Sequence, residues 1–157
     1  MLSYTEVSEA DLFFSGRQDA LHWQTLKQEE KEHLLEQATR ILDSAFDWNG
    51  EPSGKGQPMR WPRKNVSDLD GQPVNPETIP LRIKHAVSEQ ALFLMNSGFA
   101  FPSDGIKSAS LGEMSLSFDS SRQKELLSPA AVSCVRGLGK LGSSMKKLAR
   151  NGTLMRG

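Results

Sequence analysis

Between two strongly helical stretches the chain carries a run that most constrains its fold: Met59-Arg60-Trp61-Pro62-Arg63-Lys64-Asn65-Val66-Ser67-Asp68-Leu69-Asp70-Gly71, followed by Glu77-Thr78-Ile79-Pro80. A loop of this length with its own apolar anchor is a functional element or a segment packed as a unit, not slack chain. It holds a large aromatic, restraining prolines and a D-x-D-G turn, and nothing that resembles catalytic chemistry. The run therefore points to a structural module. Trp61 is expected to re-enter the core and pin the crossover, leaving Arg60 and Arg63 free to meet an adjacent subunit.

The 157 residues suit one domain with a tail, long enough to bury a core without disulfides or metals. The single Cys134 excludes an intrachain disulfide framework and a cysteine-based zinc site, and a reducing compartment is expected. No apolar run approaches a membrane span, and the polar, acidic N-terminus does not read as a signal peptide. Net charge is zero but unevenly placed. Residues 1–119 hold 11 Lys/Arg against 18 Asp/Glu, whereas residues 120–157 hold eight Lys/Arg against the one acid Glu125. An acidic body thus precedes a basic segment. Such segments commonly bind nucleic acid or an acidic protein surface; a solvated end is the plainer alternative.

Hydrophobic periodicity predicts a first helix over about 6–15, capped by Thr5 and ended by Gly16, with Val7, Ala10, Phe13 and Phe14 on one face. A second helix over about 28–46 carries Leu34, Leu35, Ala38, Ile41, Leu42 and Ala45, with Trp23 and Leu26 stapled before it and Asn49-Gly50 stopping it. Residues 50–80 read as loop, with 50–58 an exposed excursion and Asp70-Gly71 a turn. A third helix spans about 79–97, with Pro80 in its first turn and a stripe of Ile83, Val87, Ala91 and Leu94 flanked by Ala86, Gln90 and Phe93. Residues 106–111 and 114–118 suggest a hairpin, because Met114, Leu116 and Phe118 alternate with serines. A lone hairpin is marginal in water, so it must pack on the helices or on a neighbouring copy. Ser128-Pro129 can start a short helix with Ala131, Val132, Val135 and Leu138. The rest, rich in Gly, Ser, Lys and Arg, is expected to order only on a partner. The fold class is mainly α: a small bundle of three to four helices, one β-hairpin and an extended C-terminal tail. The body is 1–119 and the basic segment 120–157.

Candidate sites are few. His22, His33 and His85 share no ligand spacing. Asp68-x-Asp70-Gly71 begins like a calcium loop, but Ile79 stands where the twelfth-position Glu is required. Cys134 has no acid–base partner in sequence and reads as a packed thiol. No nucleophile elbow, P-loop or dinucleotide fingerprint occurs. Gly137-Leu138-Gly139-Lys140-Leu141-Gly142 lacks the preceding strand and following Ser/Thr of a phosphate cradle and reads as tail. Trp48 and Trp61 could stack on bases, but their settings favour packing, and the body around them is acidic. An enzyme, a cofactor and a metal are not expected.

The ordered set Tyr4, Glu9-Ala10-Asp11, Phe14, Trp23, Lys31, Leu35, Ala38-Thr39, Leu42-Asp43, Trp48, Gly50, Trp61-Pro62-Arg63, Val66, Asp70-Gly71 and Ile79-Pro80 resembles a tailed-bacteriophage family. That family is often labelled DnaT-like single-stranded DNA-binding protein, and it resembles the head–tail adaptors of long-tailed phages. The likeness runs from about 4 to 96 and continues weakly through Gly112 and Met114 to Phe118. It implies a ring of about twelve copies beneath the portal protein, at the virion neck, assembled after synthesis in the host cytoplasm. The ring would extend the DNA channel and present a surface to the next neck or tail protein. Genomic DNA would pass without sequence recognition and no membrane would be involved. Arg136, Lys140, Lys146, Lys147 and Arg150 would then face the portal or the DNA. Arg60, Arg63, Met114, Leu116 and Phe118 are the candidates for contacts between subunits. The rival reading is a single-stranded DNA-binding or replication-associated protein.

Overall fold

The computed structural model describes residues 2–97 and 127–142. In chain order the elements are α1 (Val7–Phe14), a 3-10 turn (Gln18–Ala20), α2 (Leu21–Gln24), α3 (Gln28–Ala45), β1 (Phe46–Trp48), β2 (Glu51–Pro52), β3 (Arg63–Lys64), α4 (Leu81–Asn96), α5 (Pro129–Cys134) and β4 (Gly139–Leu141). The described residues are thus mainly helical, with two small antiparallel ladders, β1 with β4 and β2 with β3.

The amphipathic stripes do what their spacing predicts. α3 buries Leu34, Leu35, Ala38, Ile41, Leu42 and Ala45, and α4 buries Ile83, Ala86, Val87, Ala91 and Leu94. α4 packs against α1, α3 and α5 and is the central helix. Its Gln90 is fully buried yet satisfied: its Oε1 accepts the Ser128 N–H at 2.8 Å. The Ser128 Oγ in turn accepts the Ala131 N–H at 3.2 Å, capping α5, with Pro129 following at the first helical position.

Local details differ from the sequence reading for physical reasons. The N-cap of α1 is Glu6, not Thr5. The Glu9 carboxylate accepts both the Glu6 N–H and the Thr5 hydroxyl, so Thr5 serves the first turn from its side. Trp23 does not staple α3 from a loop. It lies on its own one-turn helix, fully buried against Phe14, with its Nε1–H donated to Asp11 at 2.8 Å. α3 stops at Ala45, and Trp48 lies on a strand instead of ending a helix. Phe46 and Trp48, two residues apart, share the buried face of β1 and stack at 5.2 Å.

Gly50, expected to stop a helix, instead makes the corner from β1 to β2. Its φ is +67°, and a Cβ there would lie 2.1 Å from the Lys64 carbonyl oxygen. The stretch 50–58, expected as an exposed excursion, is largely exposed, and it also begins as one arm of a hairpin: Glu51 pairs with Lys64 and Pro52 with Arg63. The crossover then enters the core at Trp61, which is 1% exposed and edge-on to Trp48, across a cis Trp61–Pro62 bond. Asp68 and Asp70 form the expected turn. Asp68 Oδ1 accepts the N–H groups of Asp70 and Gln72, and Gly71 takes a φ of +77°.

The short helix expected after Ser128-Pro129 is present as α5, with Ala131, Val135 and Leu138 buried among the helical side chains. The largest departure concerns residues 139–142, read from sequence as flexible tail. β4 pairs with β1 in the register Phe46–Leu141, Asp47–Lys140 and Trp48–Gly139. The glycines that suggested flexibility allow close approach instead. A Cβ on Gly139 would lie 2.8 Å from the Trp48 ring, and one on Gly137, at φ +83°, 2.7 Å from the Leu69 side chain. The hairpin expected at 106–118 lies outside the described residues.

Two stability outcomes follow. Trp61→Ala lowers unfolding free energy by about 3–5 kcal/mol in chemical denaturation, as for other fully buried large aromatics. Gly139→Ala forces a methyl between β4 and the Trp48 ring and costs about 1–3 kcal/mol. A melting temperature unchanged by Gly139→Ala would show that β4 does not hold this register.

Candidate functional site

The crossover is organised by one phenol and one carboxylate. Tyr4, 2% exposed, donates its hydroxyl to the Asp43 carboxylate at 2.6 Å and accepts the N–H groups of Arg60 and Trp61 at 3.1 and 3.2 Å. Asp43 also accepts the Trp48 Nε1–H at 3.0 Å. Four separate parts of the chain therefore meet: the N-terminal strand of coil, α3, β1 and the crossover. Burial raises the Asp43 pKa, outweighing the two donors that favour its ionised form. Burial and the neighbouring carboxylate hold the Tyr4 hydroxyl protonated well above the ordinary tyrosine range.

Arg63 completes the arrangement. The sequence reading left it free for a neighbouring subunit, but it is 8% exposed and points inward. Its guanidinium donates to the carbonyl oxygens of Asn49 at 2.7 Å, Gly50 at 2.9 Å and Arg60 at 3.1 Å. These carbonyls line the β1–β2 corner and the crossover. A planar five-donor fork can satisfy such a set together, which an ammonium cannot. Burial lowers its pKa without threatening its charge. Arg60 lies at the surface, its backbone N–H taken by Tyr4.

The other candidates fall in three places. Arg136 and Lys140 are exposed on the packed 127–142 segment, with Lys140 opposite Asp47 across the β1–β4 ladder. Lys146, Lys147, Arg150, Met114, Leu116 and Phe118 lie outside the described residues. The rings that could have stacked on bases are internal: Trp23, Trp48, Trp61, Phe14, Phe46 and Tyr4 are all buried. Burial pushes the Cys134 thiol up, which disfavours the thiolate. Among the described residues no three His, Cys, Asp or Glu side chains gather as a metal-ligand set, and no helix is long and apolar enough to cross a membrane.

Two surface depressions are lined by described residues. One, of about 480 Å³, opens between the N-terminal coil, α1 and α3 and is rimmed by Glu6, Asp11 and Glu32. The other, of about 330 Å³, runs between α1 and α4 and is mainly apolar. Leu12 and Leu81 on its rim are 78% and 65% exposed. His85 stacks on Phe13 at 4.5 Å within it, and the Lys84–Glu9 ion pair borders it. The described residues offer binding surfaces and a rigid frame, with no nucleophile and base assembled among them. Sequence reasoning passed over Tyr4 and Asp43 as functional positions. Both stand in the ordered motif set, and Tyr4 is the sole tyrosine, but nothing local joins two residues 39 apart in the chain.

The network predicts opposed pH dependences. Asp43, with its folded pKa raised, binds protons more readily folded than unfolded, so its contribution falls as pH rises from about 4 through the folded value. Measured by denaturation, the stability of the native protein relative to Asp43→Asn therefore decreases over that range. Glu9 is the reverse: its hydrogen bond from Lys84 lowers its pKa, so its contribution is present above about pH 4.3 and is lost as pH falls through the lower folded value. A Glu9→Gln variant loses that acid-side slope.

Searches against curated proteins and against solved structures gave no match. A family profile described as "Putative DnaT-like ssDNA binding protein" matches residues 2–152, nearly the whole chain. The match spans the core elements, the Tyr4–Asp43 crossover and the packed 127–142 segment alike, and on that extent the chain belongs to the DnaT-like ssDNA-binding family.

Proposed function

We propose that this protein is a structural head–tail adaptor of a tailed bacteriophage: a ring-forming, non-enzymatic component that sits below the portal, extends the DNA channel and joins the capsid to the neck. The observation that carries this reading is the inward placement of every large aromatic at the crossover, together with the arginine that sequence had left free. The aromatic and polar side chains of the crossover are thereby used up in building a rigid frame, and what remains outside is surface for contact. The described stretch 2–97 is acidic, with ten Lys/Arg against 15 Asp/Glu. Carboxylates facing a channel repel phosphates and let DNA slide without adhering. The resemblance of the ordered motif set to head–tail adaptors supplies the specific assignment, including portal, neck protein and further copies of itself as partners.

In this reading the docking cations divide. Arg136 and Lys140 are carried on the rigid body, whereas Lys146, Lys147 and Arg150 follow it in the chain and reach toward the portal or the DNA. The family description favours a second reading, in which the chain binds single-stranded DNA. With the tryptophans, Phe14, Phe46 and Tyr4 buried, the described residues offer little ring surface for stacking, so such binding would be chiefly ionic and steeply salt-dependent.

Electron microscopy of the virion neck tests the adaptor directly: density for this chain directly beneath the portal supports it, and absence from the particle overturns it. Fluorescence anisotropy with a single-stranded oligonucleotide tests the rival, which requires sub-micromolar binding that weakens sharply with added salt. Truncation separates frame from tail. Removal of 143–157 leaves the melting temperature close to that of the full chain while abolishing attachment to DNA-filled heads. Removal of 120–157 strips α5 and β4 from the core and destabilises the body itself.

A further inference from the structure

We propose that the cationic crossover hairpin of one copy, carrying Lys55, Arg60 and Lys64, docks on the acidic depression between the N-terminal coil, α1 and α3 of the next copy, so that copies join head to tail. This contact deepens the ring of the adaptor reading and rests on it. Charge is segregated along the described chain. Residues 2–36 hold Arg17, Lys27 and Lys31 against eight Asp/Glu, whereas residues 49–66 hold Lys55, Arg60, Arg63 and Lys64 against Glu51 alone. Arg63 is engaged inside, on backbone carbonyls. Lys55, Arg60 and Lys64 are exposed and form no ion pair with a described residue. On the rim of the depression Asp11 is paired with Lys31, but Glu6 and Glu32 have no cation as partner among the described residues.

The hairpin presents its cations on a fixed frame. β2 and β3 pair Glu51 with Lys64 and Pro52 with Arg63, and along β3 Arg63 is buried while Lys64 is exposed. The Ser53 N–H donates to the Pro62 carbonyl at 3.1 Å and closes the loop between the strands. Gln57 pins that loop from within: its Nε2 donates to the carbonyls of Met59 and Pro62, and its Oε1 accepts the Gly54 N–H. Lys55 follows Gly54 at the turn, and Arg60 stands on the return, where Tyr4 holds its N–H. The two surfaces stand apart within one chain. Gln28 and Glu32, in the first half of α3, line the depression, whereas the hairpin is tied through Tyr4 to Asp43 near the end of the same helix. From Glu32 to Asp43 is about 16 Å along the helix axis. That is beyond the screening length of about 8 Å at physiological ionic strength. Each surface is therefore left without its complement in a single copy, and a second copy displaced along α3 supplies it. A contact between unlike surfaces repeats from copy to copy and closes into a ring when its rotation allows. Opposed charges orient such a contact more than they tighten it, and exposed ion pairs contribute little each. Two free copies thus associate weakly and chiefly at low salt, and ring closure gives every copy a contact on both sides.

Charge exchange tests it on the full chain, freed of nucleic acid by nuclease and followed by sedimentation velocity at low ionic strength. One variant reverses the hairpin (Lys55→Glu, Arg60→Glu, Lys64→Glu) and another the depression (Ser8→Lys, Glu32→Lys). The native chain is expected to associate with rising concentration and to come apart with added salt. Each variant by itself associates at least tenfold more weakly, and mixing the two restores association, because each then meets its opposite. Native chains that stay monomeric at low salt overturn the proposal. So do variants that associate like the native chain, and a mixture that restores nothing. Carbodiimide coupling of the native chain covers the case of a misfolded variant. In a mixture of light and heavy-isotope protein, Lys55 or Lys64 couples to Glu6 or Glu32 between light and heavy chains. Links confined to single chains, or joining other residues, overturn the contact. Binding of a single-stranded oligonucleotide by the native hairpin, with no association between copies, would make nucleic acid the partner and overturn it too. Neither experiment contains portal or virion, so failure of this contact leaves the adaptor reading to microscopy of the neck, and absence from the neck leaves the measured contact between copies intact.

Discussion

The hydrogen bond between the Tyr4 hydroxyl and the Asp43 carboxylate is the constraint on which the crossover depends. A half-buried carboxylate must be matched by donors or it will take up a proton, and Asp43 is matched by the Tyr4 hydroxyl and the Trp48 indole. The phenol oxygen then accepts two backbone N–H groups of the crossover. Removing either partner strands the other in a poorly hydrated place, so the four chain segments that meet there hold one another in a single arrangement. Arg63 repeats the logic with reversed sign, one buried cation satisfying carbonyls that turn inward at the β1–β2 corner.

Around that node the aromatics form a second layer of specification. Trp48 stacks on Phe46 and meets Trp61 edge-on, while Phe14 packs on Trp23. Gly139 is set where β4 passes over the Trp48 ring, and only a residue without a Cβ fits that approach undisturbed. The C-terminal strand is thereby fastened to the start of the β1–β2 corner and indirectly to the Tyr4–Asp43 pair. Arg17, in the turn after α1, pairs with Glu89 of α4 and lies over the Phe13 and Phe14 rings. Partly exposed pairs of this kind add little on their own, but here the cation also covers aromatic surface.

Membership of the DnaT-like family and a frame with its large rings turned inward bear on each other. If the family's DNA contacts are realised in this chain, they fall to exposed cations and to residues beyond the described ones, not to the buried tryptophans. The same inward packing suits a component whose task is to present stable faces to neighbours. Lys140 gains a fixed position from the β1–β4 ladder, and Arg136 from its bridge to Gly139, which converts what reads as tail into ordered chain beside the strands.

Much of the helical frame was legible in the sequence because period and position coincide. The stripes of α1, α3 and α4, the Ser128-Pro129 start of α5, the Asp70-Gly71 turn and the burial of Trp61 all follow from local spacing and turn chemistry. What only the tertiary structure decided are pairings between residues far apart in the chain. Nothing local distinguishes Phe46–Trp48 from a last helical turn until β4 arrives to pair with it. Nothing marks Arg63 as internal until Asn49 and Gly50 present their carbonyls, and nothing shows Gly139 to be a packing glycine until the Trp48 ring lies under it. The sequence by itself determined which stretches are helical and which faces are apolar, because those depend on neighbours three and four residues away. The tertiary structure decided which polar groups are buried and where the chain turns back on itself, because desolvated charges and close backbone approach are satisfied only by partners that folding brings together.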